Sequence, residues 1–362
     1  MITISLCMIV KNESAVLGRC LESVCEAVDE IIVVDTGSTD DTKDIAASYC
    51  AKVYDFTWRD HFAAARNYAF SLATQDYILW LDADDVMLKT DVEKLIKLKS
   101  TLSPEVSVVN MLYHAAFDSK GEPTFSYNRE RLLRRSDNPQ WVGAVHEVIP
   151  QQGIGINSDI AVCHKKCGSG DPDRNLRIYE KRLALGEELD TRAQFYYGRE
   201  LMFHRRWSEA IKALKAFLTQ PDAWLENQIT ACGDLATCYR NINDSQSEIQ
   251  ALLQSLSYDG PRAEICCAIG AWWLRRSGWR QGQFWYETAL SCDPQAHPGA
   301  FVALDCYGYI PWIQLAVIYD HLGEYEKAVA ANEEAGKIRP NDPSYLHNKA
   351  YFAPKIPNSD KN

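Results

Sequence analysis

The chain has 362 residues, of which 46% are hydrophobic and 24% are charged, and its formal net charge is −11 at pH 7. This composition excludes a largely disordered chain. The acidic balance argues against a protein whose main role is to bind nucleic acid, because that binding depends on Lys and Arg. A local basic patch at 128–135, with the sequence NRERLLRR, stays open as an alternative.

Strand and helix signals alternate over residues 1–165. Short runs rich in Ile, Val and Leu, together with flanking turn residues, predict strands at 3–10, 31–34, 52–56, 76–82 and 106–115. Helical spacing of apolar residues predicts helices at 11–28, 41–50, 61–73 and 91–99, the first of them capped by Asn12 or Ser14. This alternation predicts a mainly parallel sheet, in which ligands bind beyond the carboxyl ends of the strands.

An acidic cluster, LDADD at 81–85, follows the fourth predicted strand. Asp82 and Asp84 lie two residues apart and would point to the same side of an extended chain. Two carboxylates about 6 Å apart repel by roughly 3 kcal/mol at an effective dielectric constant of about 20. A bound Mg²⁺ or Mn²⁺ ion would offset that repulsion. The alternative is a solvated turn whose aspartates cap the next helix.

Two further segments have polar residues that suit a nucleotide. In VVDTGSTDDT, Asp35 ends a predicted strand and could accept a hydrogen bond from a uracil imide or a ribose hydroxyl, although an ordinary strand–turn–helix has the same residues. In AAARNYA, Arg66 could bind a diphosphate, and the alternative is a surface arginine.

After residue 170 the strand signals stop and a helical repeat begins. The segment 311–340 has the tetratricopeptide pattern, and similar registers start near 191, 229, 263 and 309. The first two spacings are close to the ideal period of 34 residues, and the longer last one leaves room for a loop. Small residues such as Gly198 and Gly270 recur where paired helices would cross closely. The sequence therefore predicts an all-α repeat domain at 171–350, followed by a flexible tail at 351–362.

Four motifs, in their order and spacing, resemble the family 2 glycosyltransferases: LCMIVKNESAVLGRCLESV, IIVVDTGSTDDT, FAAARNYA and YILWLDADD. The resemblance implies an α/β domain with the Rossmann-like GT-A fold at 1–170, which transfers a sugar from a nucleotide sugar, usually UDP-linked, with inversion. On this basis the nucleotide-sugar site comprises Val10, Asn12, Glu13, Asp35, Arg66, Asn67 and Asp82.

The same resemblance implies a metal site and a catalytic base. Asp84 is the expected ligand of Mn²⁺ or Mg²⁺, with Asp82 on the ribose or the metal and His164 as a later ligand. In the segment RLLRRSDNPQWVGAVHEVI, Glu147 is the first candidate for the base and His146 the second. The alternative for His146 is a strand-end histidine bonded to the backbone.

The complete architecture resembles the bacteriocin peptide S-glycosyltransferases. That resemblance implies a glucose-type UDP-sugar, a peptide or protein acceptor (Cys or Ser) in the groove of the repeats, and a homodimer. We expect a cytoplasmic protein, since we find neither a secretory leader pattern nor a run of 18 apolar residues. The alternatives are a saccharide or lipid-linked glycan acceptor, or a non-enzymatic scaffold with a degenerate transferase domain.

Overall fold

The computed structural model describes residues 1–117, 121, 123–150, 152–165, 171–296 and 302–355. The chain divides into two compact units, Met1–Glu188 and Leu189–Asn362. The division lies C-terminal to the boundary at 170 expected from the sequence, so one more helix belongs to the first unit. Of the expected tail at 351–362, residues 356–362 lie outside the described part of the chain.

The first unit is an α/β domain. Its strands are β1 (Ile4–Val10), β2 (Glu30–Asp35), β3 (Lys52–Asp55), β4 (Tyr77–Trp80), β5 (Asp85–Val86), β6 (Val106–Phe117), β7 (Pro123–Arg134) and β8 (Ile154–His164). Its helices are α1 (Leu17–Val24), α2 (Thr42–Ser48), α3 (Phe62–Ser71), α4 (Lys89–Thr101) and α5 (Arg174–Ala184). Among the described residues the strands form one sheet in the order β3-β2-β1-β4-β7-β6-β8-β5.

Strands β3, β2, β1 and β4 are parallel, as the sequence predicts. Strands β1, β2 and β4 are buried on both sides because helices cover both faces, whereas β3 at the edge of the sheet is partly exposed. On β1, Leu6 and Met8 pack in the same apolar cluster as Leu17 and Leu21 of α1. Cys7, which points the other way, packs in a second cluster with Phe70 of α3. The carboxyl ends of all four strands consequently meet at one edge of the sheet.

In the other half of the sheet the sequence predicts β6, as the strand at 106–115, but misses β5, β7 and β8. Strand β7 pairs antiparallel with both β4 and β6, and β8 pairs parallel with β6 and antiparallel with β5. The basic stretch 128–135 lies mostly on β7, and the side chain of Arg131 is only 1% exposed. The reading of this stretch as an exposed basic patch is therefore wrong at Arg131.

Helix α1 begins later than predicted. Its N-cap position is Val16, and no side chain caps the helix, so the prediction that Asn12 or Ser14 caps it is wrong. Asn12 instead has a φ of 55°, in the left-handed region that Asn tolerates better than most residues. The backbone N–H and the side-chain oxygen of Asn12 form hydrogen bonds with Ser38 and Thr39 in the loop after β2, which places Asn12 in the candidate site.

Glu30 ties the amino ends of the strands together. Its carboxylate accepts hydrogen bonds from Ser5 Oγ at 2.5 Å, Lys52 Nζ at 2.7 Å and Thr74 N at 2.9 Å. Burial opposes ionisation of Glu30, yet the bonds from Lys52, Ser5 and Thr74 lower its pKa to about 2. Ionised Glu30 thus stabilises the folded state above its ordinary pKa, and this contribution disappears as the pH falls through 2.

We expect Glu30→Gln to lower the free energy of unfolding by about 2–3 kcal/mol at pH 7, since one pKa unit corresponds to about 1.4 kcal/mol. The deficit should shrink between about pH 4.5 and pH 2, because Glu30 of the unfolded chain binds a proton in this range while the folded carboxylate stays ionised down to about pH 2. Chemical unfolding of the wild type and the variant at pH 7 and pH 3 measures this difference in the free energy of unfolding. Glu26→Gln, at an exposed position, is the control; equal deficits at the two pH values would contradict the prediction.

The second unit is entirely helical in its described residues. Its helices are α6 (Thr191–Phe203), α7 (Trp207–Phe217), α8 (Leu225–Asn241), α9 (Ser245–Gln254), α10 (Ala263–Leu274), α11 (Trp279–Leu290), α12 (Tyr309–His321), α13 (Tyr325–Ile338) and α14 (Pro343–Phe352). The predicted registers at 191, 263 and 309 coincide with the first residues of α6, α10 and α12, whereas α8 begins four residues before 229.

Small residues lie where the helices of a pair cross, as predicted. A Cβ added to Gly198 would lie 2.7 Å from Leu214, and one added to Gly270 would lie 2.7 Å from the ring of Tyr286. The close approach of α6 to α7 and of α10 to α11 therefore requires glycine at these two positions. Within the described residues, no helix is both long enough and apolar enough to span a membrane.

Candidate active site

Acidic and histidine side chains collect at the carboxyl edge of the sheet. Asp35 is the last residue of β2, the LDADD segment follows β4, and His164 ends β8. Asp85 pairs with His164 in the short antiparallel ladder between β5 and β8. Residues that are far apart in the sequence thus meet where parallel α/β sheets usually bind ligands.

Asp35 is 1% exposed and is positioned by the turn that follows it. Its Oδ1 accepts hydrogen bonds from the backbone N–H groups of Gly37 and Ser38, both at 2.9 Å. Burial opposes ionisation, but the hydrogen bonds from Ser38 and Gly37 lower the pKa of Asp35. The other oxygen, Oδ2, is buried and has no hydrogen-bond partner. An N–H or hydroxyl donor from a ligand would satisfy it.

The loop after β1 packs against the turn after β2. Asn12 N donates to Ser38 Oγ at 2.9 Å, and Asn12 Oδ1 accepts from Thr39 N at 2.8 Å. Val10 ends β1 and pairs with Asp35 across the ladder. These contacts place Val10 and Asn12 beside Asp35, in the group that the sequence predicted.

Glu13 belongs to the acidic part of the site. Its backbone N–H donates to Thr42 Oγ1 at 2.8 Å, which fixes the loop. Burial raises the pKa of the Glu13 carboxyl, and the negative charges of Asp84, Asp82 and Asp40 raise it further. Such repulsion among carboxylates indicates a site that would gain from a bound cation.

Asp84, Asp85 and His164 form a compact cluster of potential metal ligands. One ligand atom from each lies within 4.8 Å of the others. His164 Nδ1 is 3.4 Å from Asp84 Oδ1 and 3.7 Å from Asp85 Oδ1. Interactions with Asp84 and Asp85 raise the pKa of His164 to about 10, against the opposing effect of burial.

The donor atoms of this cluster fit a divalent cation. Asp85 Oδ1 and His164 Nδ1 are both buried, and neither has a hydrogen-bond partner. Buried polar atoms without partners are costly, and a metal ion bound to them removes that cost. Two carboxylates and an imidazole are ligands that Mn²⁺ accepts well. The structure thus brings together Asp84 and His164 as predicted, and it adds Asp85.

Asp82 lies in a different arrangement. Its Oδ1 accepts from Arg66 Nη2 at 2.8 Å, and Arg66 Nε donates to Glu147 Oε1 at 2.7 Å. Burial opposes ionisation of Asp82, but the positive charges of Arg66, Arg131 and Arg129 lower its pKa to about 2. Arg66 thus bridges two of the predicted site residues. The alternative interpretation of Arg66 as a surface arginine is wrong, because the residue is buried.

Glu147 and His146 lie in a tight loop closed by Val142 and Val148, which exchange backbone hydrogen bonds at 2.8 and 3.0 Å. His146 has a φ of 52°, a left-handed conformation that costs free energy for a non-glycine residue and is common at functional sites. The ion pair with Arg66 brings Glu147 to the same side of the site as Asp82.

Asn67 anchors this region to α3. Its Nδ2 donates to the carbonyl oxygen of Trp141 at 3.0 Å, and its Oδ1 accepts from Trp141 N at 2.7 Å. Both ends of the amide therefore bind the backbone that leads into the loop. The contacts of Asn67 in this structure position the loop, whereas the sequence predicted a nucleotide contact.

Sequence reasoning missed the aromatic and basic residues around the acidic cluster. The guanidinium of Arg66 lies 4.8 Å from the ring centroid of Trp141 and 5.3 Å from that of Trp80. The guanidinium of Arg131 lies 3.8 Å from the Trp80 ring. The segment RERLLRR has only two apolar residues, Leu132 and Leu133, so it offers no local signal that Arg131 is buried.

A mainly parallel sheet with a buried aspartate at the end of β2 and an acidic DxD segment after β4 is typical of glycosyltransferases with the GT-A fold. Comparison of the sequence with protein families agrees with this class. Residues 5–152 match the family described as glycosyl transferase family 2, and residues 311–342 match the tetratricopeptide repeat. The chain thus combines a family 2 glycosyltransferase domain with a tetratricopeptide repeat.

The curated relatives include a repeat-containing protein and a glycosyltransferase. A TPR repeat-containing protein of Synechococcus elongatus is 38% identical over 157 residues, which cover 43% of this chain and 38% of the relative. The SPbeta prophage-derived glycosyltransferase SunS of Bacillus subtilis is 28% identical over 264 residues, 69% of this chain and 57% of that protein. This chain therefore spans between about a third and three fifths of the length of these relatives.

A solved structure with local similarity is that of glucosyl-3-phosphoglycerate synthase from Mycobacterium tuberculosis, in complex with Mn²⁺, uridine diphosphate and phosphoglyceric acid. The two sequences are 25% identical, and the alignment covers 31% of this chain and 43% of that chain with a TM-score of 0.27.

Proposed function

We propose that this protein is an inverting, metal-dependent glycosyltransferase that moves a glucose-type sugar from UDP to a Cys or Ser side chain of a peptide or protein. The observation that carries the proposal is the Asp84–Asp85–His164 cluster at the same sheet edge as Asp35. A donor with a uracil ring and a diphosphate would use both features.

Asp35 would bind the base of the donor. Its Oδ1 is occupied by two backbone N–H groups, so the carboxylate is fixed in orientation, and Oδ2 is left for a ligand donor. The imide N–H of uracil is such a donor. A ribose hydroxyl is the other candidate. Val10, Asn12 and Glu13 line the same end of the sheet and would complete this part of the site.

Asp84, Asp85 and His164 would hold Mn²⁺ or Mg²⁺. When bound, the ion neutralises the charge that develops on the departing diphosphate. Asp82 would contact the ribose with its remaining oxygen while Arg66 compensates its charge. The third nitrogen of the Arg66 guanidinium would be the group directed to the diphosphate, because Nε and Nη2 already bind Glu147 and Asp82.

Glu147 is our first candidate for the base that accepts the acceptor's proton, and His146 is the second. A general base must lie within about 3 Å of the proton that it takes. The ion pair with Arg66 fixes the Glu147 carboxylate next to Asp82, which supports its assignment to the reacting region. Attack by the deprotonated acceptor on the face opposite the leaving diphosphate would invert the anomeric centre.

The helical repeats would bind the peptide or protein acceptor. A cavity of about 590 Å³ in the second unit is lined by α12 and α14. Ile310, Ile313 and Val317 recur at helical spacing along one side, and Gln314 and His347 supply polar groups. An apolar wall with a few hydrogen-bonding groups suits an extended peptide.

We also propose that the protein is cytoplasmic and forms a homodimer.

Intact-mass analysis tests this proposal. The protein is incubated with UDP-glucose, Mn²⁺ and matched peptides that contain Cys, Ser or Ala at one position. We expect a gain of one hexose on the Cys or Ser peptide and none on the Ala peptide, with inverted anomeric configuration by NMR. Transfer to an oligosaccharide with no peptide modified would contradict the assignment of a peptide acceptor. If no nucleotide sugar is consumed, the proposed transferase activity is wrong.

A further inference from the structure

Arg131 lies at a β-bulge beside the candidate metal site. In the ladder between β6 and β7, Val109 pairs with Leu132 and Asn110 pairs with Glu130, so Arg131 is an extra residue on β7. A bulge changes the direction in which a side chain points, and bulges are frequent next to active sites. Here the bulge directs Arg131 into the domain interior, where the side chain is 1% exposed.

The buried guanidinium has specific partners. Arg131 Nη1 donates to Asp85 Oδ2 at 3.0 Å and to the carbonyl oxygen of Trp80 at 3.1 Å. The rings of Trp80 and Tyr113 flank it, with centroids 3.8 Å and 4.6 Å from Cζ. A rigid, planar group enclosed in this way has little freedom to move. Asp85 is itself fully buried, so its charge requires this partner.

The two carboxylate oxygens of Asp85 have different surroundings. Oδ2 accepts from Arg131 and also from the backbone N–H of Asp82 at 3.0 Å. Two donors on one oxygen fix the rotation of the carboxylate. Oδ1 is left buried, without a hydrogen-bond partner, 3.7 Å from His164 Nδ1. The orientation of this oxygen toward the cluster therefore depends on the group that holds Oδ2.

We propose that Arg131 is a positioning residue for the metal site: it holds Asp85 Oδ2, so that Oδ1 is presented as a ligand together with Asp84 and His164. This inference rests on the metal site of the proposed function. It makes Asp85, and not Asp82, the third protein ligand, because ligand atoms of Asp84, Asp85 and His164 lie within 4.8 Å of one another and Asp82 is outside this group. Partners that orient metal ligands typically change metal affinity 10- to 100-fold when they are removed.

Titration of the full chain with Mn²⁺, with free Mn²⁺ followed by EPR and no sugar donor present, tests the proposal. We expect Arg131→Met to raise the Kd for Mn²⁺ by about 10- to 100-fold and Arg131→Lys, which keeps the charge without the planar fork, to raise it less. Asp85→Asn should weaken binding as well. Because Arg131 acts through Asp85, adding Arg131→Met to Asp85→Asn should change the Kd by less than about twofold.

Arg134→Met is the matched control, because Arg134 lies on the same strand and also pairs with an aspartate, Asp137, away from the cluster. It should leave the Kd unchanged. If wild-type binding is lost in Asp84→Ala but Arg131→Met and Arg131→Lys bind as wild type, or if the effects of Arg131→Met and Asp85→Asn multiply, the positioning role is wrong and the metal site stands. If the wild type binds no Mn²⁺, or if Asp84→Ala binds Mn²⁺ as well as the wild type does, both the metal site and the positioning role of Arg131 are wrong.

Discussion

Asp84→Ala should lower the rate of sugar transfer, and of UDP-sugar hydrolysis, on the order of 100-fold or more. The substitution removes one carboxylate from the Asp84–Asp85–His164 cluster and leaves His164 facing a single acid. Loss of a ligand should cost at least as much as loss of a group that only orients one, which is typically 10- to 100-fold. Asp84 is half-buried, so the folded state should tolerate alanine at this position.

Initial rates across a series of Mn²⁺ concentrations measure this effect. Excess Mn²⁺ should restore part of the activity of Asp84→Ala, since the remaining ligands would bind the ion weakly. Asp159→Ala is the control, because Asp159 lies on β8 with His164 but has an exposed side chain. A rate for Asp84→Ala within about threefold of wild type at every Mn²⁺ concentration would refute the assignment of Asp84.

The second large effect is expected at Arg66. Arg66→Met should lower the free energy of unfolding by about 3–5 kcal/mol, the usual cost of removing one partner from a buried charge network. Arg66 is 9% exposed and is the shared partner of Asp82 and Glu147, so its loss leaves the largely buried Glu147 carboxylate without a cation, close to the more exposed Asp82. Methionine fills a similar volume, which limits the contribution of a cavity.

Chemical unfolding followed by tryptophan fluorescence measures this loss, because Arg66 contacts the rings of Trp80 and Trp141. Glu147→Gln introduced into Arg66→Met should recover part of the stability, since it removes one of the two uncompensated charges. Arg59→Met, at an exposed position on the loop before α3, is the control. A loss below about 1 kcal/mol in Arg66→Met, or no recovery in the double variant, would contradict the network.

The recognisable parts of the fold are those with local signals. The strands β1, β2 and β4 are continuous apolar runs that end at a turn or an acid, and the repeats have small residues at fixed spacing. The strands β7 and β8 lack such a signal, because basic and polar residues interrupt them. Their assignment depends on partners that are far away in the sequence, such as Asp85 for Arg131.

The candidate site divides in the same way. Asp35, Asp82, Asp84 and His164 could be named in advance, because carboxylates at strand ends and the resemblance to a family point to them. The sequence could not show whether Asp82 or Asp85 lies in the cluster with Asp84, since Asp82 is two residues from Asp84 and Asp85 is one. In the fold it is Asp85 that lies in a compact group with Asp84 and His164, while Asp82 is bound by Arg66 from α3 outside that group.

The amino-acid sequence by itself determined the two-part architecture, the parallel half of the sheet and the acidic segment at its edge, because periodicity and turn chemistry act over a few residues. Only the tertiary structure decided which carboxylate oxygens bind an arginine, as Asp82 Oδ1 and Asp85 Oδ2 do, and which lie beside His164, as Asp84 Oδ1 and Asp85 Oδ1 do. Charge pairing inside a domain depends on distances of a few ångströms between residues that are 16 to 81 positions apart, such as Arg66 with Asp82 and Glu147.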